Sequence, residues 1–337
     1  MYRMIAKKIA LPILILSGLL VVSFLVPVVY PHYDEIINYL TDENGKIIAA
    51  PPFTAGEMPP AGSDRLGRNL LLLLLAGAKF TLIAALAIAL IRILAGFIAG
   101  VIYAFLPSSL GRFIKNLGEA FQYIPLVIIV FAMLAPLENP FQESILPSNQ
   151  YFIIQVIAIA LVTIPSFAVY VGEELKLFMQ NEFVEVSRSM GAGRFHIFRR
   201  HLLPQLRRHS IVLFSEQVSL ALSLLIQLGI LLMALGGLKI ADFAFGELDP
   251  YNPVYFSNTN EWAATISMNI NQIFTTPSLV LVPLTLFAVA ILCVNSISAS
   301  LRKVLIENEI PLGRTKKQEQ ASQPSTVVSK DSFTFKQ

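Results

Sequence analysis

Residues 181–209 read "NEFVEVSRSMGAGRFHIFRRHLLPQLRRH", and this charged stretch interrupts a chain that is otherwise rich in apolar residues. Its first part has helical periodicity, because Phe183, Val186 and Met190 recur at i, i+3 and i+7 and share one face. The run Gly191-Ala192-Gly193 ends this helix, since glycine is favoured just past a helix C-terminus. We therefore predict a short amphipathic helix that stops at a glycine corner.

A second short helix is predicted after the corner, with Phe195, Phe198 and Leu202 on one side, and Pro204 is expected to close it. The apolar residues of both helices need a surface against which they are buried. That surface is the ends of neighbouring membrane helices, the lipid headgroups or another protein. The residues alone do not decide between the lipid surface and a partner protein.

The composition indicates a membrane protein. Of the 337 residues 55% are hydrophobic and 14% are charged, and the mean hydropathy is +0.66, which is too apolar for an ordinary soluble domain. A helix needs about 20 apolar residues to cross the hydrocarbon core of a membrane. Six stretches reach that length, namely 9–29, 80–105, 117–137, 151–178, 211–235 and 277–300. The apolar residues 70–78 are expected to form a separate interfacial segment, or a seventh span if that segment inserts.

The first apolar stretch has the basic start of a signal peptide, but we interpret it as a retained anchor. No small-x-small cleavage site follows it in "VPVVYPHYD". With the N-terminus inside the cell, the outer segments hold only Lys46, Arg65, Arg68 and Lys239 as basic residues. This asymmetry predicts that both termini are cytoplasmic. It also explains the basic character of the chain without nucleic acid as a partner.

These patterns divide the chain into four parts. Residues 1–30 are the anchor, 31–61 a polar extracytoplasmic segment, 62–305 the helical core, and 306–337 a cytoplasmic tail. The tail is rich in Ser, Gln, Lys and Thr, which predicts disorder. The only tryptophan, Trp262, is expected at the level of the lipid headgroups.

Several polar residues fall inside the predicted spans. An arginine at mid-membrane costs about 2.5–3.5 kcal/mol on insertion scales, so Arg92 is expected to contact another helix rather than to snorkel to the boundary. Ser219, Ser223 and Gln227 share one face near Gln217, and such a face either lines an aqueous path or lets helices pack closely. We name these five residues as candidates for a translocation path.

The chain shows no signature of chemistry of its own. The four histidines have no zinc spacing, so no metal site is predicted. The sequence contains no G-x-x-x-x-G-K-[ST] loop, and it is therefore not expected to hydrolyse ATP. No arrangement of nucleophile and base suggests a membrane enzyme. The single Cys293 is expected to be a packing residue.

The 181–209 stretch resembles the cytoplasmic signature loop of binding-protein-dependent ABC importer permeases. That pattern is Glu-Ala-Ala, three residues, Gly, nine residues, Ile, one residue and Leu-Pro. Matching residues stand at the matching spacing at Glu185, Gly191, Leu203 and Pro204. The usual alanines are replaced by Val186 and Ser187, and the usual isoleucine is replaced by His201.

A second resemblance lies at "GSDRLGRNLLLLLLAGAKFTL", residues 62–82, which is similar to the entry to the core of the C-type permease of dipeptide and oligopeptide importers. The matching residues are Gly62, Asp64, Leu66, Gly67, Arg68, Gly77 and Ala78. Asn69 replaces an aspartate and Lys79 an arginine. A weaker similarity covers "LGGL" at 235–238 and "NEWAATISMN" at 260–269. The chain departs from the family pattern by insertions at 138–150 and 239–258. Because of them the resemblance determines neither the identity of the substrate nor the surface that contacts the binding protein.

The resemblance implies an all-α integral membrane protein with the type I ABC importer permease fold, in which about six transmembrane helices comprise an N-terminal anchor and a five-helix core. It implies as partners a homologous B-type permease subunit, two ABC ATPase subunits, an extracellular solute-binding protein and membrane lipid. The chain itself would bind no cofactor, and ATP and Mg²⁺ would be bound by the ATPases. The protein would be a multi-pass component of a bacterial inner membrane.

The 181–209 stretch would then be the loop that couples the permease to an ATPase. The residues implied in coupling are Glu182, Glu185, Ser187, Met190, Gly191, Ala192, Gly193, Arg194, Phe195, His201, Leu203 and Pro204. Glycine at position 191 is expected because a corner pressed against a partner has no room for a side chain.

The resemblance favours di- or oligopeptides as substrate, moved inward by alternating access. A permease for nickel or another small solute of the same family remains an alternative. So does a membrane scaffold or sensor that derives from a permease and does not transport. A secondary carrier would show inverted repeats and broken helices, which the sequence does not show.

Overall fold

We describe a computed structural model in which residues 2–42, 45–137, 146–240, 255–257 and 259–305 are placed. The predicted tail at 306–337 lies outside these residues, as do most of the two insertions. The ten α-helices of the described part are α1 Tyr2–Val29, α2 Leu70–Ala104, α3 Ser108–Gln122, α4 Leu126–Leu134, α5 Ser148–Phe178, α6 Glu182–Ser189, α7 Arg194–Ile197, α8 Leu203–Ile230, α9 Trp262–Asn269 and α10 Ser278–Leu305.

Strands are short and lie between the helices. β1 (Leu40–Thr41) pairs antiparallel with β2 (Ile47–Ala49), and β3 (Lys239–Ile240) pairs antiparallel with β4 (Tyr255–Phe256). The chain is thus the all-α membrane protein that the sequence predicts. Five helices are long and apolar enough to cross a membrane: Ile9–Val29, Leu70–Ala104, Ser148–Phe178, His209–Ile230 and Ser278–Leu305.

The span predicted at 117–137 is not one continuous helix. The amphipathic helix α3 ends at Gln122, and α4 begins only at Leu126, after Pro125. The apolar part, Leu126–Leu137, is shorter than a full membrane span. The break is physically explained by Pro125, because the residue before a proline avoids the α region and the proline donates no N–H.

The prediction of a separate interfacial segment at 70–78 is wrong, because α2 runs without a break from Leu70 to Ala104. Asn69 caps its first turn by accepting a hydrogen bond from the Leu72 N–H at 3.1 Å. The asparagine that replaces the usual aspartate therefore keeps the capping function. Gly77 lies inside this continuous helix. Glycine is needed there because an added Cβ would collide with the Asn260 carbonyl group.

The residues before α2 form a tight turn held by a buried ion pair. Asp64 and Arg68 are both buried, and the Arg68 Nη2 atom lies 2.6 Å from the Asp64 Oδ2 atom. The Asp64 carboxylate also accepts the N–H groups of Leu66 and Arg68, each at 2.9 Å. Gly62 and Gly67 have φ of +81° and +78°, a conformation that only glycine adopts at low cost. These bonds join the motif residues Asp64, Leu66 and Arg68 in one turn.

The helices α2 and α5 pack most closely in the molecule. A Cβ on Gly96 would clash with the Phe167 ring, one on Gly172 would clash with the Tyr103 ring, and one on Gly100 would approach Val171 at 2.9 Å. Gly96 and Gly100 form a G-x-x-x-G pair, a spacing that lets two membrane helices approach closely. This pair of helices is the axis of the bundle.

The other long helices surround this axis. The largest apolar core joins side chains of α2, α4, α5, α8, α9 and α10. The anchor α1 packs against α2 and α10, and the buried Ser23 hydroxyl donates to the Ala76 carbonyl at 2.8 Å. We call the end of the bundle at Ala104 and Phe178 the loop end. The far end holds the first turns of α2 and α9.

Gly96→Leu is expected to destabilise the protein, because the added side chain would have to displace Phe167 between α2 and α5. Overpacking of this kind costs about 1–3 kcal/mol. The melting temperature of the purified chain in detergent should fall by several degrees. Gly18→Leu is the control, since nothing lies within 4 Å of a Cβ at Gly18 of α1. Equal melting temperatures for both variants would contradict the role of the glycine contact.

Candidate functional site

The glycine corner of the 181–209 segment has defined hydrogen bonding. Helix α6 ends with the Ala192 N–H donating to the Ser187 carbonyl at 3.0 Å and the Gly191 N–H donating to the Arg188 carbonyl at 2.9 Å. This pair of bonds is the Schellman motif, in which the residue after the cap takes left-handed backbone angles. Gly191 has φ of +89°. Glycine is therefore favoured here by its backbone angle. Packing within this chain does not require it, because a Cβ at this position would meet nothing within 4 Å.

The sequence predicts that Pro204 closes the second short helix, and this prediction is wrong. α7 continues through a π turn, Phe198–Leu202, directly into α8, and Pro204 lies in the first turn of α8. Proline has no N–H and its ring crowds the carbonyl four residues earlier. The wider π turn, closed by the Leu203 N–H on the Phe198 carbonyl, accommodates this and keeps the helix continuous. The segment is therefore rigidly joined to a membrane-spanning helix.

One face of the segment is buried against the bundle. Val184, Ile197 and Leu202 are each at most 3% exposed. They pack in one apolar cluster with the loop-end side chains of α2, α5 and α8, namely Ile93, Ala104, Phe167, Val171, Leu175 and Leu213. The inner face of the segment thus has its burial within the chain.

The opposite face is apolar and exposed. Phe183, Val186, Met190 and Phe195 are 50%, 58%, 84% and 73% exposed. Around them Glu182, Glu185, Gly191 and Gly193 are exposed, and so are Leu203 and Pro204 at the start of α8. Ala192, Ser187 and His201 are half-buried, and Ser187 and His201 contact each other at 3.2 Å. The side chain of Arg194 lies outside the described part of the chain.

Two cavities lie beside the start of α8. One, of about 670 Å³, lies between α2 and the residues that follow the corner, including Phe198 and Pro204. The other, of about 290 Å³, lies between the end of α5 and α8 and is lined by Glu174 and His209 among others. Ile98 and Ile102 line the first cavity and are 65% and 59% exposed, so this cavity is a cleft open to the surface. The segment therefore joins the bundle without being enclosed by it.

Arg92 lies in α2 and reaches α5. Its Nη2 atom is 3.4 Å from the Ser166 hydroxyl, and its guanidinium lies over the Phe167 ring at 5.6 Å. Ser166 donates its own proton to the Thr163 carbonyl, so its oxygen accepts from the arginine. Within the described part of the chain the Arg92 Nε atom is buried without a hydrogen-bond partner. The residue is an interhelix contact with one donor to spare.

The polar residues of α8 do not share one environment. Ser219 is buried and donates to Asn295 of α10 at 2.6 Å, and Gln217 is buried with its Oε1 atom unbonded among the described residues. Ser223 is half-buried and donates to the Ser219 carbonyl at 3.0 Å. Gln227 is exposed. Only the latter two face an open side of the helix, where Leu220 and Ile230 are also exposed.

The far end contains a buried carboxylate that the sequence reading did not single out. Glu261 is fully buried and caps α9, accepting from the N–H groups of Ala263 at 2.8 Å, Ala264 at 2.6 Å and Leu235 at 3.1 Å. The Thr81 hydroxyl of α2 lies 3.4 Å away. An acidic residue directly before an apolar helix is a capping signal, and that signal was present in the sequence.

Trp262, which the sequence predicts at the level of the lipid headgroups, is fully buried next to Glu261. Its indole N–H donates to the Leu74 carbonyl at 2.9 Å, and its ring packs edge-on against Phe287 at 5.2 Å. Residues 259–270 are thus held against α2 and α10, and the bond from the Leu235 N–H to Glu261 ties residues 231–238 to them. This arrangement closes the far end of the bundle around the motif residues "LGGL" and "NEW".

A helical bundle with an amphipathic segment between its long helices, one face of which is buried and the other exposed, defines a polytopic membrane protein. The comparison with protein families agrees, since residues 92–306 match the model of the "Binding-protein-dependent transport system inner membrane component". The chain belongs to this family. It is a permease component of an ABC importer of the dipeptide/oligopeptide type, a transport component and not an enzyme.

Curated relatives carry related names. The chain is 23% identical over 244 residues to the glutathione transport system permease protein GsiD of Pectobacterium atrosepticum, which covers 72% of this chain and 71% of the relative. It is 28% identical over 143 residues to the di/tripeptide transport system permease protein DppC of Pseudomonas aeruginosa, covering 42% and 44%. GsiD of Escherichia coli O6:K15:H31 is 23% identical over 244 residues, covering 72% and 70%.

The stability of the protein should depend on pH through Glu261, which lies outside the five long helices. Burial raises the pKa of this carboxyl to about 7, although the N–H donors of Ala263, Leu235 and Ala264 oppose the shift. Because the folded pKa is above the unfolded value of 4.5, this stabilisation is complete below pH 4.5 and is lost as pH rises through 7.

Glu261→Gln removes this titration and places an amide donor where the backbone donors converge. The melting temperature should therefore be lower for the variant than for the wild type, and the difference should be larger at pH 5 than at pH 8. Melting curves of both proteins in detergent at these pH values measure it. An equal difference at the two pH values would contradict this expectation, because it would show that the carboxyl does not titrate between them in the folded protein.

Proposed function

We propose that the chain is the transmembrane permease subunit of an ATP-driven importer in a bacterial inner membrane, and that it moves di- or oligopeptides from an extracellular binding protein to the cytoplasm. Both termini are cytoplasmic in this proposal. Residues 1–30 are the anchor, 31–61 the extracytoplasmic segment, and 62–305 the core with its coupling loop at 181–209. The exposed apolar face of that loop is the observation that carries the proposal.

The apolar face gains from being covered by another surface. A fully buried large apolar side chain contributes about 1.5–3 kcal/mol relative to an exposed one, so covering Phe183, Met190 and Phe195 is strongly favourable. The segment resembles the signature loop of the importer family to which the chain belongs, and we therefore assign this cover to a groove on an ABC ATPase subunit.

Coupling then follows from the two faces of the segment. The ATPase subunits bind ATP and Mg²⁺, and their closure moves the outer face that includes Val186 and Met190. The inner face transmits this movement, because Val184 and Ile197 are buried against α2 and α5, and the π turn leads directly into α8. A second, homologous permease subunit completes the pathway, and alternating access arises from rigid-body movement of the two subunits.

Peptides are the favoured substrate because the relatives are named for glutathione and for di- and tripeptides. The two motifs of the sequence also resemble the peptide branch. Nickel or another small solute is the second candidate within the same family. Competition of uptake by unlabelled di- and tripeptides distinguishes these substrates directly.

The translocation path is proposed along the open side of α8, with Ser223 and Gln227 as lining residues. Gln217 and Ser219 are buried away from this side, and Ser219 contacts α10, whereas Arg92 contacts α5. In a Cys293→Ala background, Gln227→Cys in the assembled transporter should react with a water-soluble, membrane-impermeant thiol reagent. Gln217→Cys, which is buried, is the control. Reaction at position 217 without reaction at position 227 would overturn this path.

Met190→Asp tests the docking face. Met190 is the most exposed of its apolar residues at 84%, so the variant should fold normally but lose the ATPase. We would extract the tagged chain gently from its native membrane and quantify the ATPase that co-purifies, expecting at least a tenfold loss, which corresponds to about 1.4 kcal/mol.

Phe274→Asp is the matched control, because Phe274 is an equally exposed apolar residue on the other side of the bundle, after α9. The control should retain the ATPase. Retention by Met190→Asp would show that the outer face does not dock on the ATPase. Recovery of the wild-type chain with partners but without any uptake would favour a scaffold or sensor.

A further inference from the structure

Two residues of the 181–209 segment that depart from the resembled pattern touch each other. Ser187 replaces an alanine in α6, and His201 replaces an isoleucine in the π turn. The Ser187 Oγ atom lies 3.2 Å from the His201 Nε2 atom, although fourteen residues separate them. The bond spans the glycine corner, and it is the direct polar connection between the two sides of that corner.

The direction of this hydrogen bond follows from a second one. The Ser187 hydroxyl is 2.9 Å from the Phe183 carbonyl, which can only accept, so the single hydroxyl proton is donated there. The Ser187 oxygen must then accept from the His201 Nε2–H. This assignment fixes the neutral ring as the tautomer with its proton on Nε2.

The histidine ring is also held by aromatic neighbours. Its centroid is 5.6 Å from that of Phe183, and Phe183 is in turn 5.6 Å from Phe178 at the end of α5. The His196 ring is 6.5 Å from His201. A continuous chain of contacts therefore leads from α5 through α6 to the π turn that begins α8.

We propose that Ser187 and His201 are a positioning pair that fixes the angle of the glycine corner and thereby the surface that an ATPase recognises. This inference rests on the proposed function and adds to it a specific requirement. The hydroxyl and imidazole act as a unit in place of an alanine and an isoleucine. The Ser187 carbonyl also accepts the Ala192 N–H of the corner, so a shift of Ser187 moves Met190 and Phe195 relative to each other.

The first measurement uses the purified chain alone. Trypsin should cut after Arg188 and Arg194, which flank the corner, more rapidly when the pair is broken. Ser187→Ala and His201→Leu should each raise the cleavage rate roughly fivefold, the effect of one ordinary hydrogen bond on the open population. The double variant should add little, because both changes break the same interaction. His201→Gln keeps an N–H donor at similar reach and should remain close to the wild type.

The second measurement is retention of the ATPase by the same variants. Ser187→Ala and His201→Leu should each lose several-fold of the bound ATPase, and His201→Gln should recover most of it. Ser189→Ala is the matched control, since it removes an exposed hydroxyl from the same helix. Comparable yields of monodisperse chain from all variants show that the fold is intact.

The outcomes separate the two proposals. Unchanged cleavage in Ser187→Ala and His201→Leu would show that the bond does not hold the corner, and would overturn the inference. Faster cleavage with full ATPase retention would overturn the positioning role alone. Failure of His201→Gln to recover binding would show that the hydrogen bond is not what matters. A wild-type chain that retains no ATPase would overturn the proposed function itself, and the cleavage rates would still decide whether the pair holds the corner.

Discussion

The close approach of α2 and α5 determines how the other helices are packed. In a membrane, helices gain little from the hydrophobic effect against lipid, so close packing and interhelical hydrogen bonds hold them together. Gly96, Gly100 and Gly172 allow this approach, and the Arg92–Ser166 contact adds a polar connection between the same helices. The loop end of this pair then provides the floor on which Val184 and Ile197 are buried.

Where Val184 and Ile197 are buried, the 181–209 segment is rigidly joined to α8 and lies beside open space. The π turn makes the segment one body with α8, so displacement of the corner displaces a membrane helix. The cavities of about 670 and 290 Å³ beside Phe97 and Leu206 leave room for such a displacement without repacking of the glycine-lined axis. Rigid elements separated by loosely packed boundaries are the general arrangement for domain-scale motion.

Local signals in the sequence predicted much of this structure. The period of Phe183, Val186 and Met190 and the glycines after them predicted α6 and its corner, because both depend on neighbouring residues alone. The break at Pro125, the continuity of α2 at Gly77 and the burial of Trp262 were not predicted. The break follows from the proline itself, a local signal that the prediction of one span over 117–137 did not use. The other two depend on what packs against the residue, namely Asn260 on Gly77 and Phe287 on Trp262, and these neighbours are not adjacent in sequence. The Ser187–His201 contact likewise spans a turn whose π geometry no propensity indicates.

The contacts between α2 and residues 261–262 at the far end affect how the protein folds during synthesis. Thr81 of α2 contacts Glu261 and the Trp262 N–H, 180 and 181 residues later in the chain. A ribosome adds about 5–20 residues per second, so α2 waits roughly 10–40 s in the bilayer before these contacts can form. During that interval the backbone carbonyl of Leu74 and the cleft at Gly77 lack their native neighbours. The first turns of α2 therefore take their native contacts only after the chain has been made as far as Trp262.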